Sequence, residues 1–476
     1  MYKINEATKE IAAWHDRWKR NRDFVAGEEA VKAKELTYLP KARLDDNYAE
    51  YKDHLQRTGF FPAAFKIAQG WSGLIFRKPP KRTIASKRVE LLAGLVTQDN
   101  RSMIDVAQWI TRETMITNFT GSLTDHSARS DFPDTMSAAE ELQLGYRPYE
   151  ALYAGENILE VTRGIINPST IGIVHVRLLE DGGNQVRELS INERGLYEVI
   201  LHKKTEGNDF IETSRVVPTF NGQPLTEIPF SIINTDDSVV PTPALLQHCV
   251  DLNLQHYIME GCLSAAIHLT SGPQITITGF EPEVDQKTGK PIDPFTGQPT
   301  DKIEFPVAPG AVWAFKSQDT KVEWNTYDAK GQELTVGKLR DLKDALSAIG
   351  HSILAPEKPA PEAAETQLIR RAAENAMLAD FTLKVSKQQE KIWQRFAAIA
   401  DPANPDLTFE LNVDFLPVPM DAPRITALST LVEKRQLSLQ TFHEALEEGE
   451  LMPHGFSSAL EAERIAQEAV DRPPVL

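Results

Sequence analysis

What the chain lacks narrows its class first. Its 476 residues contain no run of about 18 apolar residues, so no membrane-spanning helix is expected. The N-terminus, MYKINEATKEIAAWHDRWKRNRDF, is charged and amphipathic, without the apolar stretch or small-residue cleavage site of a secretion signal. Cysteine is scarce: Cys249 and Cys262 stand 13 apart in one helix-like segment, which argues against a disulfide framework or a zinc site. Both are expected to be buried small hydrophobes. No lysine/arginine tract occurs, and 68 acids against 51 bases give a net charge of −17. The basic face of a protein that grips duplex DNA is therefore not expected. Such a balance reads as solubility, or as a surface that passes close to DNA without holding it. The remaining composition, 41% hydrophobic and 25% charged, is that of an ordinary folded protein with room for several domains.

Catalytic signatures are missing as well. Thr288-Gly289-Lys290 runs into Pro291 and has no upstream glycine for a phosphate loop. GHSIL (350–354) lacks the second glycine of a nucleophile elbow and reads as a helix C-terminal turn. There is no HExxH and no CxxC. His248, His256 and His268 fall at intervals of 8 and 12; His248 and His256 share roughly one face, but no ligand sits between them at four, so they read as partly exposed polar-face histidines. Asp236-Asp237 reads as a turn with helix-start carboxylates. The aromatics Phe60, Phe61, Phe65, Trp71 and Phe76 read as packing, in a core or a subunit interface, because no basic groove accompanies them. No catalytic residue, cofactor or metal is expected, and the chain does not read as an enzyme.

What is present is a sequence of periods. Residues 1–78 look mostly helical, with Ile4, Ile11, Trp14 and Trp18 on one face of a first helix. An aromatic segment (48–80) stops at Pro79-Pro80, and a helix is predicted over 86–119. From about 146 to 235, alternating apolar and charged residues broken by Asp-Gly-Gly and Asn-Gly predict antiparallel hairpins with one solvated face. A long helix follows over 241–269, then the strand-like QITITGF (274–280) and a polar, turn-rich stretch (282–302). IEFPVAPGAVWAF (303–315) and KVEWNTYD (321–328) read as strands, and 331–354 as a second helix. HSILAPEKPAPEAAETQ (351–367) carries Pro356, Pro359 and Pro361 before a third long helix over 366–400. The tail predicts a strand at 408–417, a helix at 421–435, a turn at 435–450 with Ser438 as an N-cap, and a helix at 456–470. No internal repeat is expected.

This order, carried by YLPK (38–41), GLIFRKPP (73–80), RPYEALYAGENIL (147–159), PTPALLQHCVDLNLQHY (241–257), SGPQITITG (271–279), PGAVWAF (309–315), the helix end ALSAIGHSIL (345–354) and Glu365-Thr366, resembles the portal proteins of tailed bacteriophages across nearly the whole chain. NFTGSLTDHSARSDFP (118–133) departs from the family's pattern and points to a locally different wing edge. The resemblance implies an α+β, portal-type fold with mostly helical N- and C-terminal regions, a β-rich wing, and two stem helices flanking a small α/β clip. Its parts would be an N-terminal helical part of the wing (1–80), the wing (81–240), a first stem helix (241–269), the clip (270–327) and a second stem helix (328–354). A tunnel loop (355–365), a wing helix and strand (366–420) and a helical crown (421–476) would follow.

What the resemblance implies of function is a homo-oligomeric ring, of about twelve subunits, at the capsid vertex of a virion. The ring forms the channel for DNA packaging and ejection, and docks the terminase motor and then the head–tail adaptor. It is assembled in the host cytoplasm beside the major capsid protein and passes double-stranded DNA without sequence-specific binding, with no membrane partner. Ala355, Pro356, Glu357, Lys358, Pro359, Ala360, Pro361 and Glu362 would be the channel-facing loop. Lys287, Lys290, Asp293, Phe295 and Lys302 would contribute to partner docking at the clip. The alternative is another head–tail component, an adaptor or minor capsid protein, and after it an enzyme with an unrecognised site.

Overall fold

The period-two block after residue 146 folds as consecutive antiparallel hairpins. The computed structural model describes residues 3–127, 138–167, 170–270, 274–305, 313, 315, 319–325, 330–350, 364–415, 422–449, 451–452 and 458–471. The chain is α+β, as expected, and divides into two compact units.

The first unit comprises Met1–Trp18, Ala68–Leu245 and Pro359–Leu476. Among its strands are β1 (Lys81–Ile84), β2 (Thr120–His126), β3 (Pro148–Tyr153), β4 (Ile158–Asn167), β5 (Thr170–Glu180), β6 (Gln185–Ile191), β7 (Tyr197–Lys204), β8 (Phe210–Val216), the short β9 (Thr219–Phe220) and β10 (Gln223–Pro224), and β11 (Phe230–Ile233). Strands β4 to β8 form one five-stranded antiparallel sheet in chain order, while β2 lies between β11 and β3 in a three-stranded sheet. The turn between β5 and β6 needs left-handed backbone, which Gly182 (φ 60°) and Gly183 (φ 96°) supply. The stretch that departs from the portal pattern thus contains a central strand, β2, before residues 128–137, which fall outside the description.

The unit's apolar core joins the two sheets: Trp18, Phe119, Leu123, Ile158, Val176, Leu178, Leu189 and Phe230 are all buried. Trp18 stacks on Phe119 with ring centroids 5.9 Å apart and donates its indole N–H to Thr117 O at 2.9 Å, so its one polar atom is satisfied. Gly121 on β2 sits under Phe230, where a Cβ would come within 2.6 Å of the ring. Helix Met103–Thr117 begins with a Ser102/Asp105 capping box and ends at Asn118 in the left-handed conformation. The single helix predicted over 86–119 is therefore two, Lys87–Leu92 and Met103–Thr117. Polar Thr97–Arg101, with Asn100 at φ 62°, breaks the period between them.

The N-terminal helix also breaks, at Ala13-Trp14, into Lys9–Ala12 and His15–Ala26, with Ile4 outside both. The third long helix is Ala364–Ala400, close to its predicted bounds. Phe381, Val385, Ile392, Trp393 and Phe396 bury its described apolar side, and Gln389 Nε2 donates to Thr111 Oγ1 at 3.1 Å.

The second unit comprises Lys19–Ile67 and Leu246–Lys358. Helix Tyr48–Arg57 starts at a reciprocal Asn47/Glu50 capping box. Helix Gln247–Thr270 begins six residues later than predicted, since Pro241 and Pro243 keep the preceding stretch extended. It packs along Lys330–Ile349. Buried Asn253 staples it to the aromatic segment, with Oδ1 accepting from Ala64 N–H at 3.0 Å and Nδ2 donating to Phe61 O at 2.9 Å. Half-buried Phe60 meets Phe24 and Tyr257, so it serves packing within the unit.

Two expectations for this helix fail. His256 is buried against Phe61 and not on a polar face; burial, then the nearby Lys343, hold its imidazole below the usual value. Cys249 is buried but Cys262 is exposed, because only one side of the helix is covered.

Between these two helices, β12 (Gln274–Thr278) pairs antiparallel with β13 (Lys321–Asn325), from Gln274↔Asn325 to Thr278↔Lys321. In the first unit β14 (Leu407–Glu410) pairs antiparallel with β1, and is shorter than the strand predicted over 408–417. The C-terminal helices are Ala422–Glu433, Leu439–Glu448 and Ser458–Asp471. Ser438 caps the middle one, accepting from Thr441 N–H at 3.0 Å, so the segment predicted as a turn is a helix that uses the predicted cap.

Candidate functional site

The module carried between helices Gln247–Thr270 and Lys330–Ile349 holds one set of the predicted site residues. Its sequence contains a repeat that the opening reading missed: Asp285-Gln-Lys-Thr-Gly-Lys-Pro291 and Asp293-Pro-Phe-Thr-Gly-Gln-Pro299, eight residues apart. Each copy closes the same turn. The Asp285 carboxylate accepts from Thr288 Oγ1 at 2.6 Å and Thr288 N–H at 3.1 Å; the Asp293 carboxylate accepts from Phe295 N–H at 2.8 Å. Gly289 N–H bonds Asp285 O, and Gly297 N–H bonds Asp293 O, both at 2.8 Å. Gly289 and Gly297 take φ of 68° and 67°, which explains the Thr-Gly in both copies. Bridges Val284↔Pro291 and Ile292↔Pro299 each close the base of one copy's turn, so the two copies stand as successive rungs of a short ladder along the chain. Thr288 and its backbone neighbours hold Asp285 below the usual carboxylate range, and the Phe295 N–H does the same for Asp293. The signal lay in the period of eight, shorter than the repeat lengths that mark solenoids.

The predicted docking residues occupy this ladder. Lys290 pairs with Asp301 at 2.9 Å and Lys302 with Glu304 at 3.0 Å, both on the surface, where such pairs are worth little. Asp293 shapes a turn. Lys287 lies in the first turn, its N–H 3.4 Å from Asp285 Oδ1. Phe295 meets Phe305 edge-on at 5.7 Å; Phe305 also meets Phe280, Trp313 and Phe315. No residue of 275–323 whose burial is described is buried, although five rings there pack together. The other predicted set, Ala355 to Glu362, lies outside the described residues.

Two polar features were also missed. Glu150 on β3 is 1% exposed and accepts from Ser122 Oγ at 2.6 Å and Thr124 Oγ1 at 2.8 Å, both on β2. Burial pushes its carboxyl up to about 7 against these hydroxyls and the charge of Arg395. Its alternation with apolar neighbours was visible, but which face of β3 would be covered was not. On the five-stranded sheet, Glu188 receives His175 at 3.0 Å and His202 at 2.9 Å, and these bonds hold its carboxyl at about 2. No group of three or more His, Cys, Asp or Glu able to hold a metal occurs among the described residues. Nor is any helix among them long and apolar enough to cross a membrane.

In sequence, residues 246–399 match the family described as Domain of unknown function (DUF4055), about a third of the chain. The match starts with the first helix of the module and runs to the end of Ala364–Ala400. No curated protein matches the chain. Among solved structures it is similar to the neck of an empty GTA particle computed with C6 symmetry, at 10% identity over 81% of this chain and 89% of that one, with a TM-score of 0.37. It is similar to the neck of a native GTA particle computed with C12 symmetry, at 11% identity over 88% and 98%, TM-score 0.37. A third is the virion of a native gene transfer agent particle, at 10% identity over 86% and 94%, TM-score 0.34. Likenesses this loose do not assign a role.

Proposed function

We propose that the chain is a subunit of a portal-type ring at the capsid vertex of a phage-like virion, a conduit for DNA and not an enzyme. The observation that carries this is the pair of helices around the module. Apolar residues lie all round Gln247–Thr270, yet the second unit covers only one side of it and leaves Cys262, Ile267 and Leu269 exposed. The facing helix leaves Leu334 and Val336 exposed. A helix that is apolar on all sides is one that other surfaces bury, and repeated copies around an axis would do so while closing the assembly. The half-covered aromatic rings of the module extend the same need.

The charge suits a conduit. About twelve chains at −17 each sum to about −200, a field that repels a polyanion, where a basic lining would release counterions and hold DNA fast. In this reading 355–365 faces the channel, and the turn ladder is the end that meets the packaging motor and then the tail adaptor. Images of the purified chain by negative-stain microscopy test the assembly: closed rings with a central hole are expected, and a monodisperse monomer at micromolar concentration refutes it. Deleting 285–300 tests the docking role; unchanged motor and adaptor binding by the deleted ring refutes that part alone.

A further inference from the structure

A cationic pit in the first unit has the chemistry of a second site. Helix Lys87–Leu92 and the segment that includes Glu141, Tyr146 and Arg147 line an open pit of about 230 Å³. Leu91 and Leu92 give it an apolar wall, and Leu91 is 68% exposed. Lys87, Arg88 and Arg147 line it against one acid, Glu141, which pairs with Arg88 at 2.9 Å. In a chain of net charge −17 this is a local excess of two positive charges. Arg147 is 8% exposed: its Nη2 donates to Thr97 O at 3.1 Å and Asn100 Oδ1 at 2.7 Å, while its buried Nη1 has no acceptor. A buried guanidinium with an unmatched nitrogen is costly unless an anion or water completes it.

The same unit carries a surface of opposite character. Helix Ser458–Asp471, SALEAERIAQEAVD, has four acids against one base, and its Leu460 and Ile465 are 55% and 50% exposed. Glu461 and Glu463 lie one and three residues after Leu460, so both carboxylates fall within one turn of it, Glu463 at the neighbouring i, i+3 position.

We infer that the pit receives helix Ser458–Asp471 of a second copy of this chain, with Leu460 or Ile465 against Leu91 and Leu92, and Glu461 and Glu463 toward the exposed Lys87 and Arg88. This rests on the self-assembling reading above and specifies one contact of it. The contact is heterologous: each copy gives its helix to one neighbour and its pit to the other, the pattern that closes rings. Its charges set partner choice more than strength.

The test uses full-length chains. A chain carrying Glu461→Lys and Glu463→Lys no longer competes for the pit with its own helix, and a fluorescein-labelled peptide of residues 458–471 is titrated into it by anisotropy. Saturable binding is expected, weakened at least about tenfold when Lys87→Glu and Arg88→Glu are added. All four exchanged residues are exposed or half-exposed, so folding should survive, and circular dichroism verifies it. A peptide with both glutamates changed to lysine should show the reverse preference. Equal binding to both chains, or none to either, overturns the inference. Rings that form equally well with Lys87→Glu/Arg88→Glu overturn it while leaving the ring reading intact. Peptide binding by a chain that stays monomeric in microscopy supports the contact and removes the ring.

Discussion

Glu150 ties the stability of the first unit to pH. Its carboxyl lies at about 7 in the folded chain against an ordinary value of 4.5. The group is wholly buried, so solvent screening does not discount the shift. The folded state therefore holds a proton that the unfolded state releases above about 4.5. Stability linked to this group is fully present below about 4.5, falls as pH rises, and is lost once pH passes about 7. The difference of 2.5 corresponds to about 3.4 kcal/mol at about 1.4 kcal/mol per pH unit. Glu150→Gln preserves the size and can accept from one hydroxyl while donating to the other, but carries no proton to lose. With an unfolding entropy of about 2.1 cal/mol/K per residue over roughly 300 residues, the variant should melt about 5 °C above the wild type at pH 8. At pH 4.5 the two should melt together. The assay is the melting midpoint of both chains by near-ultraviolet circular dichroism between pH 4.5 and 8.5. A difference that stays constant across that range refutes the reasoning, because it would mean that Glu150 holds no proton of its own near neutrality, the Arg395 charge outweighing burial.

Three further outcomes follow from particular contacts. Asn253→Leu strands Ala64 N–H and Phe61 O in the second unit and should cost about 2–4 kcal/mol in urea unfolding; a loss under about 1 kcal/mol contradicts the staple. Gly121→Ala forces a Cβ within 2.6 Å of Phe230 and should cost about 1–3 kcal/mol, whereas Gly94→Ala, with nothing within 4 Å, should be neutral or slightly stabilising; equal melting of the two variants contradicts the packing account. Asp285→Ala should speed trypsin cleavage after Lys287 without moving the melting midpoint, since the turn it closes is exposed; unchanged cleavage argues against the ladder.

Sequence periodicity was most informative where one period ran long. The helices over 241–269, 331–354 and 366–400 appear as Gln247–Thr270, Lys330–Ile349 and Ala364–Ala400, and the hairpins from 146 onward follow the alternation of β-branched and charged residues. It failed where a short polar interruption decided the outcome. Thr97–Arg101 splits one predicted helix, and Ser438 starts a helix inside a predicted turn. Burial was less legible than secondary structure. Cys249 and Cys262 lie on the same helix with similar neighbours, and only the tertiary cover separates a buried thiol from an exposed one. Among the residues proposed for docking, the lysines were visible as charges in a turn-rich stretch, but Asp301 and Glu304, which pair Lys290 and Lys302, were not assignable from spacing. Lys87, Arg88 and Arg147 could not be brought together at all, because the pit joins positions about 60 residues apart in sequence.

The turn ladder has a consequence for how such chains change over time. Each Asp-x-x-Thr-Gly-x-Pro step closes on its own backbone and side-chain bonds and its own bridge, and follows the step before it directly along the chain. Copying eight residues therefore adds a rung without reworking the strands β12 and β13 that anchor it, and deleting eight removes one. Length can be altered in whole steps by a tandem duplication or its reversal, while point substitutions at Asp285, Thr288 or Gly289 damage a rung without shortening the ladder. Related chains should accordingly differ here by multiples of eight residues, a signature readable in an alignment.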